Sequence, residues 1–410
     1  MSMSSELGAQ TCVRIRKLRA EMTARGLDAW IVPTGDPHLC EYQPQDWAFR
    51  KYLSGFSGSA GTLAVSMSAA ALWTDSRYWE QAAKELEGSG IDLMQDGLPE
   101  TPTLAAALSC SLMPGAKVGL DPNMMSAKRF SLLKKALNEA DIEVICDCTL
   151  VDAVWSDRPK FAAHPARAFE HGQRSAAEKL SMLRSELAHE GADAILLSSL
   201  EDIAWLVNLR GADLACTPVF RAYALVLPDR AFIYTNALAD KPELVAQLSA
   251  AGFDVRGYEL ALSEAAGMLG SSTVLVDPAK TSQALFEKLE AAGIRTLLRR
   301  QPTELLKSRK TKQELSLLRE TMRHDGAAMC ELFCWLQEEL QAGRRLTEMD
   351  VSMKLKELRS RRPGFMGLSF ETIAAAGANA ALPHYQPQKD SAAALERGEL
   401  LLIDSGGQYE

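Results

Sequence analysis

The chain has no closely paired C-x-x-C cysteines and no long apolar run. Its eight cysteines, Cys12, Cys40, Cys110, Cys146, Cys148, Cys216, Cys330 and Cys334, form no C-x-x-C pair. That spacing excludes a disulfide framework and a zinc ribbon. Cys146-Asp147-Cys148 is the tightest pair, and on a strand both thiols would share one face with no second pair to complete a zinc site. No stretch approaches the ~18–20 apolar residues of a membrane span, and Met1 to Lys17 lacks the apolar centre of a signal peptide. These absences predict a cytoplasmic protein with no membrane partner. Lysine and arginine number 45 against 53 aspartates and glutamates, for a net charge of −8 without any long block of one sign. The electrostatic footprint of a nucleic-acid binder is therefore missing.

What is present is ordinary globular composition, with 47% hydrophobic and 24% charged residues. The length of 410 residues exceeds the usual domain of roughly 100–200, which predicts two or three separate cores. A repeat divides them. Leu18-Arg19-Ala20-Glu21-Met22 leads through Gly26-Leu27-Asp28-Ala29 into Trp30-Ile31-Val32. At one constant offset, Leu183-Arg184-Ser185-Glu186-Leu187 leads through Gly191-Ala192-Asp193-Ala194 into Ile195-Leu196-Leu197. Each copy reads as a helix ended by a glycine and followed by a short strand, so the fold class is α/β with two related domains in tandem.

The proline-punctuated stretch Trp155 to Pro159, followed by His164-Pro165, predicts a boundary near 160, and a helix then starts near Ser175. A second boundary is expected after Arg299-Arg300-Gln301-Pro302, where Glu314 to Leu340 opens a long helical pattern. The expected domains are 1–160, 161–304 and 305–410. The third continues through an amphipathic segment at Met349 to Arg359 and apolar stretches at Ser369 to Ala376 and Leu400 to Ile403. It has no further strands to complete a sheet, so exposed apolar surface is expected from about 305 onward.

Four places could carry chemistry. Gly55-Phe56-Ser57-Gly58-Ser59-Ala60-Gly61 invites a phosphate-loop reading, but strands rather than a helix follow it, which favours turns and close backbone packing. Arg77, in Trp73-Thr74-Asp75-Ser76-Arg77-Tyr78-Trp79, lies just beyond a strand and could fork onto a substrate carboxylate or carbonyl, or simply pair with Asp75. His384, in Leu382-Pro383-His384-Tyr385, could hydrogen-bond a reacting carbonyl or be structural. Asp404 follows Leu400-Leu401-Leu402-Ile403 at the exit of an expected buried strand. There it reads either as a metal ligand or catalytic acid, or as the cap of a turn.

At these residues the sequence resembles the large three-domain cytosolic aminopeptidase P (Xaa-Pro aminopeptidase) family, pita-bread metallopeptidases related to prolidase and methionine aminopeptidase. Matching stretches include Ile31 to His38, Ser54-Gly55-Phe56, Gly58 to Thr62, Trp73-Thr74-Asp75 with Arg77-Tyr78, and Trp155 to Pro159. They continue through Glu201 to Leu206, Asn208 to Gly211, Pro218 to Phe220, Cys330 to Phe333, Leu368 to Phe370, His384-Tyr385 and Leu402 to Gly406. The resemblance implies two creatinase-like N-terminal domains followed by the beginning of an α+β pita-bread catalytic domain.

It further implies that Asp404 is a ligand of a two-metal centre, usually manganese, that His384 contacts substrate and steadies its oxyanion, and that Arg77 reaches the substrate site. The implied substrates are peptides with proline at the second position, and the implied assembly is a homodimer. Of the family's metal-ligand positions only Asp404 has a counterpart here. The expectation is therefore a chain that stops inside its catalytic domain, holds no metal pair tightly and is inactive by itself. The alternatives are a non-catalytic binding module on the same scaffold and a prolidase-like dipeptidase.

Overall fold

A computed structural model describes residues 3–410; Met1 and Ser2, which open the expected first domain, lie outside the described residues. The first sheet contains β1 (Ala29–Pro33), β2 (Thr62–Ser66), β3 (Ala70–Thr74), β4 (Asp92–Gln95), β5 (Lys117–Leu120) and β6 (Glu143–Cys146). After it come β7 (Arg167–Ala168), β8 (Ala194–Leu197), β9 (Leu209–Arg210), β10 (Tyr223–Val226), β11 (Ala231–Tyr234), β12 (Asp254–Arg256), β13 (Thr273–Val276) and β14 (Arg295–Leu298).

Two six-stranded sheets result, ordered β4-β3-β2-β1-β5-β6 and β12-β11-β10-β8-β13-β14. In both, one strand runs against its neighbours (β2 and β10) and the outer pairs are parallel. The repeat is thus one topology used twice, and its shared residues do the same work in each copy. Gly26 and Gly191 take φ +64° and +77°, a left-handed turn that an L side chain resists. Asp28 and Asp193 then accept from the backbone amides of Lys117 and Thr273 at 2.8 and 2.7 Å, stitching the repeat strand to its parallel partner.

Alternation along the strands fills both faces of each sheet. Trp30, Val32, Leu63, Val65 and Leu72 pack on one face of the first sheet, and Ile31, Ala64, Trp73, Val118 and Leu120 on the other. The two sheet units also pair with each other almost symmetrically. Ser126 and Ser282, each an N-cap accepting from its own helix, form a bridge. Around it Ala127 N donates to Thr281 O at 2.9 Å and Gln283 N to Met125 O at 2.8 Å. His38 crosses the same junction: its Nδ1 lies 2.8 Å from Ser198 O and its Nε2 2.8 Å from the Tyr258 hydroxyl.

The third unit opens with a helix over Lys312–Gln341, where Thr311 and Glu314 form a capping box, followed by a helix over Glu348–Ser360. Two hairpin-like pairs complete it: β15 (Phe365–Leu368) with β18 (Gly407–Tyr409), and β16 (Ile373–Ala376) with β17 (Leu401–Asp404). Its core gathers Ala328, Leu332, Val351, Leu355 and Ala374.

One expectation needs correction. The strand before Asp404 is not buried: Leu400 is 88% and Leu402 43% exposed, because among the described residues β17 is paired along one edge only and nothing covers its outer face. Further exposed apolar side chains run from Leu305 through Leu318, Met322, Phe333 and Leu340. Among the described residues no helix is long and apolar enough to cross a membrane.

Candidate active site

All three units converge on one cavity of about 570 Å³. The first contributes Ser57, Ser59, Arg77 and Tyr78, the second Ala215 and Cys216, the third Phe370, Ile373, Leu382 and His384. The first wall is built by the glycine-rich turn. Buried Arg50 donates to Thr34 Oγ1 at 2.9 Å, to Phe56 O at 3.1 Å and to Gly58 O, and burial lowers its pKa to about 10. A Cβ on Gly58 would collide with Phe56 and stand 2.7 Å from Tyr78 Cδ1. Close packing, the reading preferred for this loop, therefore explains the glycine.

Arg77 pairs with Asp75, the second of its two readings, and also reaches the third unit. Its Nε and Nη2 each donate to Asp75 at 2.8 Å, which pushes the guanidinium pKa up and holds the Asp75 carboxyl below its ordinary range. Its Nη1 meets His384 Nε2 at 3.2 Å across 307 residues of sequence. Beside them the Tyr78 ring lies parallel to the His384 ring, with centroids 5.0 Å apart and planes at 10°. The Tyr78 hydroxyl is itself bound to Ser59 Oγ at 2.7 Å. The structure brings two of the three candidate residues into direct contact and gives the pair an aromatic backing.

Asp404 is different. It is exposed at the end of β17 and does not line the cavity, although its register partner Ile373 does. Among the described residues no group of three or more histidines, cysteines, aspartates or glutamates could hold a metal ion.

A residue missed in the sequence anchors the third wall. Glu348, 0% exposed, accepts from the backbone amides of Ala376 at 2.6 Å and Ala393 at 2.8 Å, from the Tyr385 hydroxyl at 2.7 Å and from Asn379 Nδ2 at 3.1 Å. Burial alone would raise the carboxyl pKa; the four donors outweigh it and hold it below the ordinary value. Tyr385 and Asn379 bracket the loop that carries His384. In sequence Glu348 looks like an ordinary acid in the first turn of a helix, and only the adjacent capping pair Thr347 and Asp350 marks the position.

Comparison with known proteins places the chain. Two models of the creatinase/prolidase N-terminal domain match residues 14–153 and 157–314, and that of metallopeptidase family M24 matches 316–410. Aminopeptidase P2 of Arabidopsis thaliana is 34% identical over 96% of this chain. A probable Xaa-Pro aminopeptidase P of Pyricularia oryzae is 36% identical over 97% of this chain and 67% of its own length. The chain belongs to the Xaa-Pro aminopeptidase P family. A crystal structure of X-prolyl aminopeptidase from Caenorhabditis elegans, described as a cytosolic enzyme with a di-nuclear active site, superposes with TM-score 0.90 at 28% identity. It is covered over 68% of its length, and this chain over 100%.

The family's architecture of two creatinase-type domains followed by an M24 pita-bread domain accounts for the duplicated sheets and for the unlike third unit. The chain spans 60% of the Arabidopsis relative and 66% of the Xaa-Pro aminopeptidase ApepP of Drosophila melanogaster.

Proposed function

We propose that this chain serves Xaa-Pro aminopeptidase activity: hydrolytic release of the first residue of a peptide whose second residue is proline. The proposal includes two divalent metal ions, manganese, as cofactors, a cytoplasmic location and a homodimer. The observation that carries it is the meeting of Arg77 with His384 on one wall of a cavity shared by all three units. The bond before proline is a tertiary amide with no N–H to recognise. A site for it must grip the carbonyl and seat the ring, and the cavity offers cationic and imidazole groups beside apolar Phe370, Ile373 and Leu382. Arg77 would orient the peptide, and His384 would bind at its reacting carbonyl.

Metal ions in such a site supply an activated water. The donors here do not fit a metal pair, since Asp404 brings one carboxylate and no three-donor group accompanies it among the described residues. The 410-residue chain should accordingly bind no stoichiometric manganese pair by isothermal titration and release no arginine from an Arg-Pro-Pro peptide. A chimera in which this chain replaces the matching 67% of the Pyricularia oryzae relative, purified with manganese, should release it. Failure of that preparation to cleave Arg-Pro-Pro would overturn the reading. The same donor shortage favours a second reading, a non-catalytic peptide-binding module, which predicts binding of Arg-Pro-Pro by the chimera without cleavage.

A further inference from the structure

The contact between Arg77 and His384 constrains more than position. A guanidinium has only N–H donors and stays charged across the pH range of proteins. With Nε and Nη2 occupied by Asp75, the Nη1 group that lies 3.2 Å from His384 Nε2 needs an acceptor there. In a neutral imidazole one nitrogen accepts and the other carries the proton. Turning the ring over would put the Cε1–H where Nε2 now stands and set a carbon-bound hydrogen against a cation. Tilting it would break the parallel stack on Tyr78, a buried residue held by Ser59.

We infer that the Asp75–Arg77 pair of the first sheet unit sets the tautomer of His384 in the third, keeping Nε2 as an acceptor and the proton on Nδ1. Toward the His384 proton Arg77 acts as a positioning residue. The consequence for catalysis rests on the aminopeptidase reading. A peptide carbonyl approaching Nε2 meets a lone pair, so its donors are Nδ1–H and the guanidinium itself. An oxyanion contact of His384 then runs through Nδ1–H rather than Nε2.

The test is two-bond proton–nitrogen correlation spectroscopy on the histidine-labelled 410-residue chain at pH about 8, where an ordinary imidazole is neutral. The His384 signals are identified by their loss in His384→Gln. The wild type should show the Nδ1–H form. Arg77→Met should shift His384 to predominantly Nε2–H, the usual form of an unconstrained histidine side chain, and Arg77→Lys, which keeps a cationic donor, should retain Nδ1–H. Signals of His38, fixed between Ser198 and Tyr258, report that the fold is intact. An Nε2–H form in the wild type, or a tautomer indifferent to Arg77→Met, overturns the inference. Peptide cleavage is not read in this experiment, so failure of the aminopeptidase reading leaves the tautomer result standing.

Discussion

Removing the Glu348 carboxylate should loosen the third unit while leaving the two sheet units intact. The side chain is fully buried, and its oxygens satisfy two backbone amides, the Tyr385 hydroxyl and the Asn379 amide. Hydrogen bonds to a charged group contribute about 1.5–3 kcal/mol each, and a buried donor left without a partner costs about 1–3 kcal/mol. Water can reach some of the donors once the carboxylate is gone, so the net cost of Glu348→Ala should be about 3–5 kcal/mol, at the upper end for single substitutions. Glu348→Gln turns one acceptor into a donor facing other donors and should cost about 2–4 kcal/mol.

Native-state hydrogen exchange is the suitable assay, because a chain with several cores need not unfold in one step. The amides of Ala376 and Ala393 should lose protection, while those of β1 and β8 should not. The sign of the pH effect follows from the lowered carboxyl pKa. The stabilisation is complete above the unfolded-state value of about 4.3 and is lost as pH falls through the lower folded-state value. In Glu348→Gln that acid-dependent part should be absent. Unchanged exchange at Ala376 and Ala393 in Glu348→Ala would refute the assignment of Glu348 as the anchor of the His384 loop.

His38 gives a second pH signature. Burial lowers its pKa from 6.5 to about 4, so between those values the unfolded chain binds the proton and the folded chain does not. The junction of the two sheet units should weaken as pH falls from about 6.5 towards 4, by up to about 3 kcal/mol, and chemical denaturation of His38→Gln should show a flatter pH profile. Gly58→Ala should destabilise the first unit by about 1–3 kcal/mol through overpacking against Phe56 and Tyr78, seen as a lowered Tm with altered aromatic circular dichroism.

The fold was legible where local chemistry repeats. Gly26 and Gly191 predict turns that end helices, and Asp28 and Asp193 mark a stitch that the backbone makes twice. The helix expected near Ser175 starts there because Ser175 and Glu178 cap it reciprocally. The reciprocal pairing of Ser126 with Ser282 was not legible, since a bridge between two polar turns leaves no periodic trace in either. The misreading of the strand before Asp404 has a related cause. Four consecutive apolar residues measure what a strand could bury, whereas burial depends on what packs over it, and among the described residues β17 has one partner strand.

The candidate site divides along the same line. Arg77 and His384 stand out in sequence because each is a polar group of distinct chemistry in a loop beside a strand or turn. Their partners do not stand out: Tyr78 and Tyr385 look like core aromatics, and Glu348 looks like a helix-start acid. What ties those three to the candidate site is a set of contacts across long loops, with Tyr78 backing the imidazole, Tyr385 clamping the chain next to it and Glu348 clamping Tyr385. A single substitution in the first unit can therefore alter a histidine in the third with no change in that histidine's own loop. A module consisting of residues 305–410 alone would lack both the acceptor-selecting cation and the stacking ring. The imidazole in such a module should behave as an unconstrained one even if its loop stayed anchored by Glu348, because the anchor fixes where the ring stands and the first unit fixes which nitrogen holds the proton.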